Sequence, residues 1–493
     1  MTATINFERE YKQKHFAFPE INFQDFEEIQ DLRIRKDIAK KNKIVSTDTY
    51  NRTMTHLKGE EKKNTMETYT MTLRKSPNGL YNVVYGIKKI IDDILLMPIT
   101  QNELDFARDF YANQKNAGGN SYFDKAMWQK VIDENNGFLP LSVRAVEDGT
   151  VMKAGEPIMS ISGPAELAAV FEPLFLRVFY QTIVATDIHE IVSFIGEGRI
   201  VEFGKRAAIN EEAHIDAIEA LYVGGGLKFT SNDTAVLALS KVLSAGTTAH
   251  RYLAAYDTED EAFDNAIEKM DRVALLVDLV DSIRGIDKII ELKKKYRFTN
   301  KVINMRLDSG DLLEQAIYAL KQQKENGFLD PNKDKIVIAD ISSKEKIFEI
   351  ETKIRETGFD PEKFIVYGLG GLLVTKNKTR DEVSAGYKLT KEGEIYTGKL
   401  SNDPIKEAIP GDLNVEIRTD ARYIVQDRTM KFGERLLKPI YEKGEIFDKN
   451  IVANIEKART RVNETMKYIN LATKRDEETN RIREEVKARF MRA

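Results

Sequence analysis

The 493-residue sequence contains no cysteine. That absence excludes disulfides, thiolate metal sites, iron–sulfur clusters and a cysteine nucleophile. An excess of positive charge is missing as well, because 75 lysines and arginines stand against 79 aspartates and glutamates, for a net charge of −4. A whole-chain electrostatic footprint for DNA or RNA is therefore absent, and we expect no nucleic-acid partner.

Long apolar runs are also lacking. No run reaches the roughly 18 apolar residues that a membrane span needs, and the first residues, MTATINFEREYKQK, lack the apolar region of a signal peptide. The five histidines form no HExxH pair, and no P-loop motif occurs, so these two interpretations have no support. We expect a cytoplasmic protein without membrane contact.

What is present is an ordered succession of segment types, in a chain whose 42% hydrophobic content allows a sizeable core. We predict an N-terminal extension, a flanking α+β domain, an α/β barrel, a β-rich return segment and a charged helical tail. Their limits are 1–45, 46–198, 199–385, 386–449 and 450–493. Within the flanking domain we expect helices over 48–135, a small β-subdomain over 137–163 and a helix over 165–185.

The barrel prediction depends on a regular alternation of strands and helices. Seven short β-branched runs are most often followed by a helical segment. They are RIVEFGKR (199–206), GLKFTSN (226–232), VLSAGTTAH (242–250), VALLVDLVD (273–281), KVINMRLDSGD (301–311), KIVIAD (335–340) and KFIVYGLGG (363–371). Such alternation predicts a parallel sheet with crossover helices, and seven units favour an irregular seven-stranded α/β barrel over a doubly wound sheet.

Polar residues and glycines gather at the predicted ends of these strands, where barrels of this kind bind ligands. Carboxylates there can accept ribose hydroxyls, glycines can bring N–H groups to a phosphate, and an aromatic side chain can stack a flat ring. A helix N-cap at Asp308 or Ser309, with Asp311 favouring the helix dipole, would account for these residues without a ligand. Core packing would account for Phe203, and a structural role for His250. The residues alone suggest a phosphorylated sugar with a planar partner and do not name a reaction.

A set of motifs carries a family resemblance. The set is STDTYNRTM (46–54), EFGKR (202–206), TSN (230–232), GTTAH (246–250), VDLVDSIRG (277–285), RLDSGDL (306–312) and the glycine turn at 368–371. In order and spacing it resembles nicotinate phosphoribosyltransferase over roughly residues 45–445. The resemblance implies a type II phosphoribosyltransferase fold and a homodimer with active sites at the subunit boundary. It also implies an enzyme that joins nicotinate to 5-phosphoribosyl 1-diphosphate in NAD salvage.

The resemblance further implies a ligase-type coupling to ATP hydrolysis through a transient phosphohistidine, with Mg²⁺ as cofactor. His250 resembles the phosphorylated histidine, with Asp278 orienting its imidazole. Phe203 and Tyr50 resemble the two faces of a ring sandwich, with Tyr50 supplied by the partner subunit and Asp48 lining the same entrance.

The remaining implied contacts are polar. Arg206 resembles the cation that faces the nicotinate carboxylate or the diphosphate. Asp308 resembles the carboxylate on the ribose hydroxyls, and Arg306 a phosphate contact. The residues that stand where the family holds the 5-phosphate are Gly368, Gly370 and Gly371.

The sequence departs from the family pattern in three places. Ala207 replaces a second arginine, and Lys205 could supply the missing cation from another angle. The turn GLGG at 368–371 is closer to the nicotinamide enzymes. Those enzymes place an aspartate where this chain has Ser231. Because a carboxylate there would repel nicotinate, Ser231 together with Arg206 favours the acid over the amide.

Three alternatives stay open at this point. The nearest is a nicotinamide phosphoribosyltransferase. Another is a phosphate-binding aldolase, for which Lys205 is the candidate Schiff-base residue. The last is a non-catalytic barrel that serves as a binding scaffold, against which the intact RLDSGDL and GTTAH motifs argue.

Overall fold

The structure is a computed structural model that describes residues 11–12, 15–59, 62, 65–114, 122–401, 403, 406–430, 433–447 and 454–492. The chain divides into two compact units, Met1–Thr182 with Thr379–Ala493, and Ile183–Lys378. Most of the predicted barrel segment, 199–385, falls in the second unit. Part of the predicted N-terminal extension lies outside the described residues.

The chain before residue 183 is helical at its start and mixed afterwards. Its helices are Phe23–Glu28, Leu32–Lys41, Thr49–Leu57, Ile87–Ile90, Gln101–Asn113, Lys125–Asn135, Ala165–Val170 and Glu172–Phe175, with a π-helix at Ile91–Leu95 and a 3-10 helix at Leu176–Val178. Its strands are β1 (Met66–Thr72), β2 (Tyr81–Val83), β3 (Ser142–Ala145), β4 (Val151–Lys153) and β5 (Pro157–Pro164). The helix Phe179–Ile195 then leads into the second unit.

The central part of the chain alternates strands and helices. Its strands are β6 (Ile200–Glu202), β7 (Phe229–Thr230), β8 (Leu243–Ser244), β9 (Arg272–Leu276), β10 (Val302–Leu307), β11 (Ile336–Ala339) and β12 (Ile365–Leu369). Its helices are Glu211–Gly225, Asp233–Leu239, His250–Leu253, Glu259–Lys269, Ser282–Lys295, Leu312–Glu325, Lys344–Glu356, Pro361–Phe364 and Gly371–Val374, with a 3-10 turn at Gly204–Arg206.

The last part of the chain returns to the first unit. Its strands are β13 (Gly386–Glu392), β14 (Ile395–Tyr396), β15 (Leu413–Ile417), β16 (Ala421–Gln426), β17 (Glu434–Arg435), β18 (Lys438–Glu442), β19 (Glu445–Ile446) and β20 (Ala472–Arg475). Its helices are Arg380–Val383, Ile455–Met466 and Glu477–Met491, with a 3-10 helix at Asp427–Thr429.

The seven predicted barrel runs all form strands of one parallel sheet. Its order is β8–β7–β6–β12–β11–β10–β9, and each neighbouring pair is parallel. The segment after β8 bonds to the other edge strand, since the Thr248 N–H donates to the Ala274 carbonyl at 3.0 Å and the Leu276 N–H donates to Thr248 Oγ1 at 2.8 Å. The prediction of an irregular seven-stranded α/β barrel is confirmed.

The first unit is built on an antiparallel sheet of order β14–β13–β1–β5–β3–β18–β19. Thr70 of the interior strand β1 lies opposite Lys388 of β13 and Ser160 of β5. The prediction that 48–135 is mainly helical is wrong at β1 and β2. Both partners of β1 come from distant parts of the chain, and this pairing overrides local helical periodicity.

The charged tail also differs from the helical prediction. Strand β20 lies between its two helices and pairs in parallel with β16. A buried ion pair anchors this region, because Arg422 Nε donates to Glu156 Oε1 at 2.8 Å and Thr473 Oγ1 donates to the same oxygen at 2.7 Å. Buried charges of this kind need such partners, which explains why a polar segment enters the sheet.

One helical segment of the described chain, Ala165–Ile195, is long and apolar enough to cross a membrane by length and composition alone. Of its most apolar window, 72% is buried inside the protein. Burial on this scale is typical of a core helix, and the segment includes the charged Glu166 and Glu172.

Candidate functional site

The carboxyl ends of the parallel strands bring distant motifs together in the second unit. Arg306 Cζ lies 5.8 Å from the centroid of the Phe203 ring. Ligand atoms of His250, Asp278 and Asp308 all lie within 4.8 Å of one another. These side chains follow four different strands, so segments far apart in the sequence build one rim.

His250 and Asp278 face each other across this rim. His250 is the first residue of its short helix and its side chain is 52% exposed, whereas the Asp278 side chain is 3% exposed. His250 Nε2 lies 3.2 Å from Asp278 Oδ1, and Asp278 Oδ2 accepts from Ser309 Oγ at 2.5 Å. One carboxylate oxygen is therefore fixed by the serine while the other is directed at the imidazole.

The two carboxylates of the RLDSGDL motif have different surroundings. Asp308 forms an ion pair of 2.5 Å with Arg306, and Arg306 also donates to Thr247 Oγ1 at 2.8 Å. Asp311 caps the helix Leu312–Glu325 and accepts from the Glu314 N–H at 2.9 Å. The expected N-cap at Asp308 or Ser309 is therefore wrong, because Asp311 caps the helix and Asp308 stays at the rim beside a cation.

The three predicted phosphate glycines fall into two groups. Gly368 lies within β12, and a Cβ built on it would approach Phe203 Cε2 to 2.5 Å. Gly370 and Gly371 lie beyond the strand, where the chain turns into the helix Gly371–Val374. Gly368 thus makes room for the aromatic ring, while the other two form the turn itself.

Of the two cations after Phe203, only one is free among the described residues. Arg206 is exposed at the end of its 3-10 turn, and no described residue forms an ion pair or hydrogen bond with its guanidinium. Lys205 Nζ donates to Asn232 Oδ1 at 2.8 Å and lies 3.0 Å from Glu211 Oε1. The hydrogen bond from Lys205 is the main cause that lowers the pKa of the Glu211 carboxyl.

Ser231 is exposed directly after β7, and its N–H donates to the Glu202 carbonyl at 2.9 Å. The neighbouring carboxylate of Asp233 accepts from Ser244 Oγ at 2.5 Å. Ser231 thus presents a neutral hydroxyl, and the nearby carboxylate of Asp233 is bound by Ser244.

A buried polar cluster lies beneath this rim and was missed in the sequence. Glu202 and Asn232 are fully buried, and His214 is 1% exposed. Glu202 Oε1 lies 2.9 Å from His214 Nε2, and Asn232 Nδ2 lies 2.8 Å from His214 Nδ1. Glu202 and Asn232 were within quoted motifs without a role, and no spacing in the sequence singles out His214.

Tyr50 and Asp48 belong to the first unit. Asp48 precedes the helix Thr49–Leu57 without a side-chain capping bond, and the Tyr50 hydroxyl donates to the Glu172 carboxylate. Burial, followed by this carboxylate, raises the pKa of Tyr50. Tyr50 is nevertheless 46% exposed, so its ring can still meet another molecule.

The first unit also contains a cation-lined cavity of about 340 Å³. Arg74, Lys388, Lys474 and Arg475 line it, together with the single carboxylate of Glu407. Arg475 already pairs with that carboxylate at 2.6 Å. Arg74 Nε is buried without a hydrogen-bond partner among the described residues, and burial lowers the Arg74 pKa. Lys474 pairs with Asp420 at 3.0 Å and Lys388 lies 3.8 Å from Glu172. Arg74 is therefore the lining cation that has no carboxylate partner among the described residues and suits an anion, and the sequence reasoning missed it.

Among the described residues, His250, Asp278 and Asp308 form the one group of three that could hold a metal ion. Mg²⁺ prefers carboxylate oxygens to imidazole nitrogen. The two aspartates therefore fit Mg²⁺, and the buried Asp278 Oδ1, which lacks a hydrogen-bond partner in the described chain, is a suitable ligand atom.

Comparisons with known proteins give relatives in sequence and in fold. The family model "Nicotinamide phosphoribosyltransferase, N-terminal domain" matches residues 42–143. Nicotinate phosphoribosyltransferase of Bacillus subtilis (strain 168) is 30% identical over 273 residues, which cover 54% of this chain and 53% of that protein. The alignment thus spans about half the length of this curated relative.

Two solved structures share the fold at low sequence identity. Human nicotinic acid phosphoribosyltransferase aligns with a TM-score of 0.62 at 16% identity, covering 89% of this chain and 95% of that one. Nicotinate-nucleotide pyrophosphorylase from Pyrococcus furiosus aligns with a TM-score of 0.64 at 17% identity, covering 88% and 97%. Over about half of its length the chain is therefore similar in sequence to nicotinate phosphoribosyltransferases, and its fold is that of the two solved structures.

Proposed function

We propose that the protein joins nicotinate to 5-phosphoribosyl 1-diphosphate, giving nicotinate mononucleotide and diphosphate in NAD salvage. The observation that carries this proposal is the convergence of Phe203, His250, Arg306 and Asp308 on one rim. An aromatic face, a carboxylate for ribose hydroxyls and a glycine turn for a phosphate are the groups that these two substrates require.

Recognition of the pyridine ring is assigned to Phe203, with Arg206 facing the nicotinate carboxylate. A guanidinium can bind a carboxylate through two parallel hydrogen bonds, and no described residue forms an ion pair or hydrogen bond with the guanidinium of Arg206. Ser231 is neutral, so its side chain does not repel the carboxylate of nicotinate. These features support the acid as substrate.

The reaction needs little proton chemistry. The pyridine nitrogen already carries a lone pair, so it can attack C1 of the ribose without a general base. The bond from C1 to the diphosphate oxygen breaks through a transition state with positive charge on the sugar. Catalysis then consists of positioning and charge stabilisation, with Asp308 holding the ribose and the turn at Gly370 and Gly371 holding the 5-phosphate.

Asp278 and Asp308 would hold Mg²⁺, which when bound would supply neutralisation of the negative charge on diphosphate. The exposed imidazole of His250 supports the further proposal of ATP coupling. A ring nitrogen of His250 would take the γ-phosphoryl group of ATP as ADP leaves. Asp278, which faces Nε2, would stabilise the positive charge on the imidazole. Hydrolysis of the phosphohistidine would then release phosphate.

We also propose a homodimer with shared active sites. Tyr50, Asp48 and the cation-lined cavity belong to the first unit, and a partner subunit would supply them. The exposed Tyr50 ring supports this assignment, as does Arg74, whose Nε has no hydrogen-bond partner among the described residues.

Diphosphate release from phosphoribosyl diphosphate, measured with nicotinate and with nicotinamide, with and without ATP, tests the proposal. We expect nicotinate to be preferred and ATP to stimulate. A nicotinamide phosphoribosyltransferase is the second candidate, favoured by the name of the matched N-terminal domain. Preference for the amide would establish that candidate, and absence of release with both pyridines would overturn both.

A further inference from the structure

The buried polar cluster beneath the rim has a defined architecture. The Glu202 cluster consists of Glu202, His214, Thr230 and Asn232, each at most 1% exposed. An ionised carboxylate buried this deeply is costly unless donors satisfy it. Glu202 Oε1 accepts from His214 Nε2 at 2.9 Å and from the Gly204 N–H, and Oε2 accepts from Thr230 Oγ1 at 2.6 Å.

The hydrogen bonds of Asn232 determine the tautomer of His214. Asn232 Oδ1 accepts from Lys205 Nζ at 2.8 Å and from the Thr234 N–H at 3.0 Å. Its Nδ2 group is therefore the donor toward His214 Nδ1, 2.8 Å away. Because Nδ1 must accept, the proton of a neutral imidazole lies on Nε2, where it donates to Glu202.

The cluster joins the two turns that carry the ring-recognition residues. Gly204 opens the turn that holds Phe203 before it and Arg206 at its end. Asn232 directly follows Ser231 and caps the helix Asp233–Leu239. His214 lies between them, in the first turn of the helix Glu211–Gly225.

We propose that His214, as the neutral Nε2–H tautomer, is a positioning residue that holds these two turns in register and so sets the affinity for the pyridine substrate. The inference rests on the proposed function and deepens it. Lys205 is then the outer member of the same chain of hydrogen bonds, through Asn232, rather than a ligand of the diphosphate.

The kinetic test uses three variants of the full-length enzyme. In His214→Leu we expect the KM for nicotinate to rise about tenfold or more, with the KM for phosphoribosyl diphosphate changed less than about twofold. His214→Gln keeps a donor for Glu202 and should recover most of the nicotinate affinity. The shorter side chain of His214→Asn does not reach Glu202 with a donor. This variant takes the place of His214→Leu in the test if His214→Leu fails to fold.

Glu351→Gln is the matched control. Glu351 is fully buried in the same unit, paired with Arg199 at 2.5 Å, and accepts from the Tyr367 hydroxyl at 2.7 Å. This variant should lower thermal stability without separating the two KM values. An equal rise of both KM values in the His214 variants, or the same nicotinate-specific rise in Glu351→Gln, would overturn the positioning role.

A second measurement does not depend on activity. In protein labelled with ¹⁵N-histidine, the His214 signals of the wild type are identified as those that are missing in His214→Gln. We expect these wild-type signals to show the Nε2–H tautomer at neutral pH. An Nδ1–H tautomer or an imidazolium at His214 would overturn the inference while leaving the proposed function intact. Failure of the wild type to use nicotinate, with the tautomer as expected, would overturn the proposed function and with it the substrate role of the cluster.

Discussion

Gly368 lies directly against the Phe203 ring, so closely that a Cβ on Gly368 would come within 2.5 Å of Phe203 Cε2. Gly368→Ala should therefore displace the ring, at a packing cost of about 1–3 kcal/mol. We expect the KM for nicotinate to rise roughly tenfold or more. Gly246→Ala is the matched control for added volume, because nothing lies within 4 Å of a Cβ built on Gly246. Equal nicotinate KM values in both variants would contradict the role of Gly368 in making room for the Phe203 ring.

Arg206→Ala should mainly weaken nicotinate use. Loss of a bidentate guanidinium–carboxylate contact costs about 1.5–3 kcal/mol, or about 10–150-fold in apparent affinity. Steady-state kinetics with each substrate varied separately measures it, and Lys205→Ala serves as comparison because its ammonium is bound within the protein. A normal nicotinate KM in Arg206→Ala would remove this residue from carboxylate recognition.

Ser231→Asp should lower the use of nicotinate relative to nicotinamide. A carboxylate at this position would repel the negatively charged acid and could accept a hydrogen bond from the amide. The ratio of kcat/KM for the two pyridines is the measurement. Ser231→Asn, which has similar volume and no charge, controls for size, and an unchanged ratio in Ser231→Asp would show that this position does not face the carboxylate.

His250→Ala should abolish ATP hydrolysis and ATP stimulation, with only part of the basal transfer remaining. The imidazole is the proposed phosphoryl acceptor, and it lies 3.2 Å from Asp278. Asp278→Asn should reduce ATP stimulation less completely, because the nucleophile is still present. Phosphohistidine detection with labelled ATP gives a direct readout, and persistent labelling of His250→Ala would exclude this residue.

Arg74→Ala should weaken the binding of phosphoribosyl diphosphate more than that of nicotinate. The guanidinium is partly buried without a carboxylate partner among the described residues, so its charge is available to an anion. Calorimetry with phosphoribosyl diphosphate measures the loss. Arg483→Ala removes a cation that is paired with Glu407 at 2.5 Å, and equal binding losses in the two variants would indicate a general charge effect.

The barrel strands could be predicted because each is a short β-branched run whose character is local, as in β10 and β11. The clustering of polar residues at the rim could then be predicted as well, since parallel strands place their carboxyl ends together. Strand β1 could not be predicted, because its partners β5 and β13 lie far away in the sequence.

The sequence also could not predict which side chains pair with one another. Nothing in RLDSGDL says that Asp311 caps a helix while Asp308 pairs with Arg306, because the tertiary fold decides between them. The Glu202 cluster was hidden for the same reason, since His214 has no distinctive neighbours in the sequence.

Thr248 has a mechanical consequence for the histidine that follows it. Its N–H donates to the Ala274 carbonyl of β9, and its hydroxyl oxygen accepts from the Leu276 N–H. These two hydrogen bonds attach the loop between β8 and His250 to the edge strand β9. The backbone two residues from the imidazole is thereby held in place. Under the proposed phosphohistidine mechanism, we therefore expect the imidazole to move by rotation about its side-chain bonds rather than by displacement of the loop.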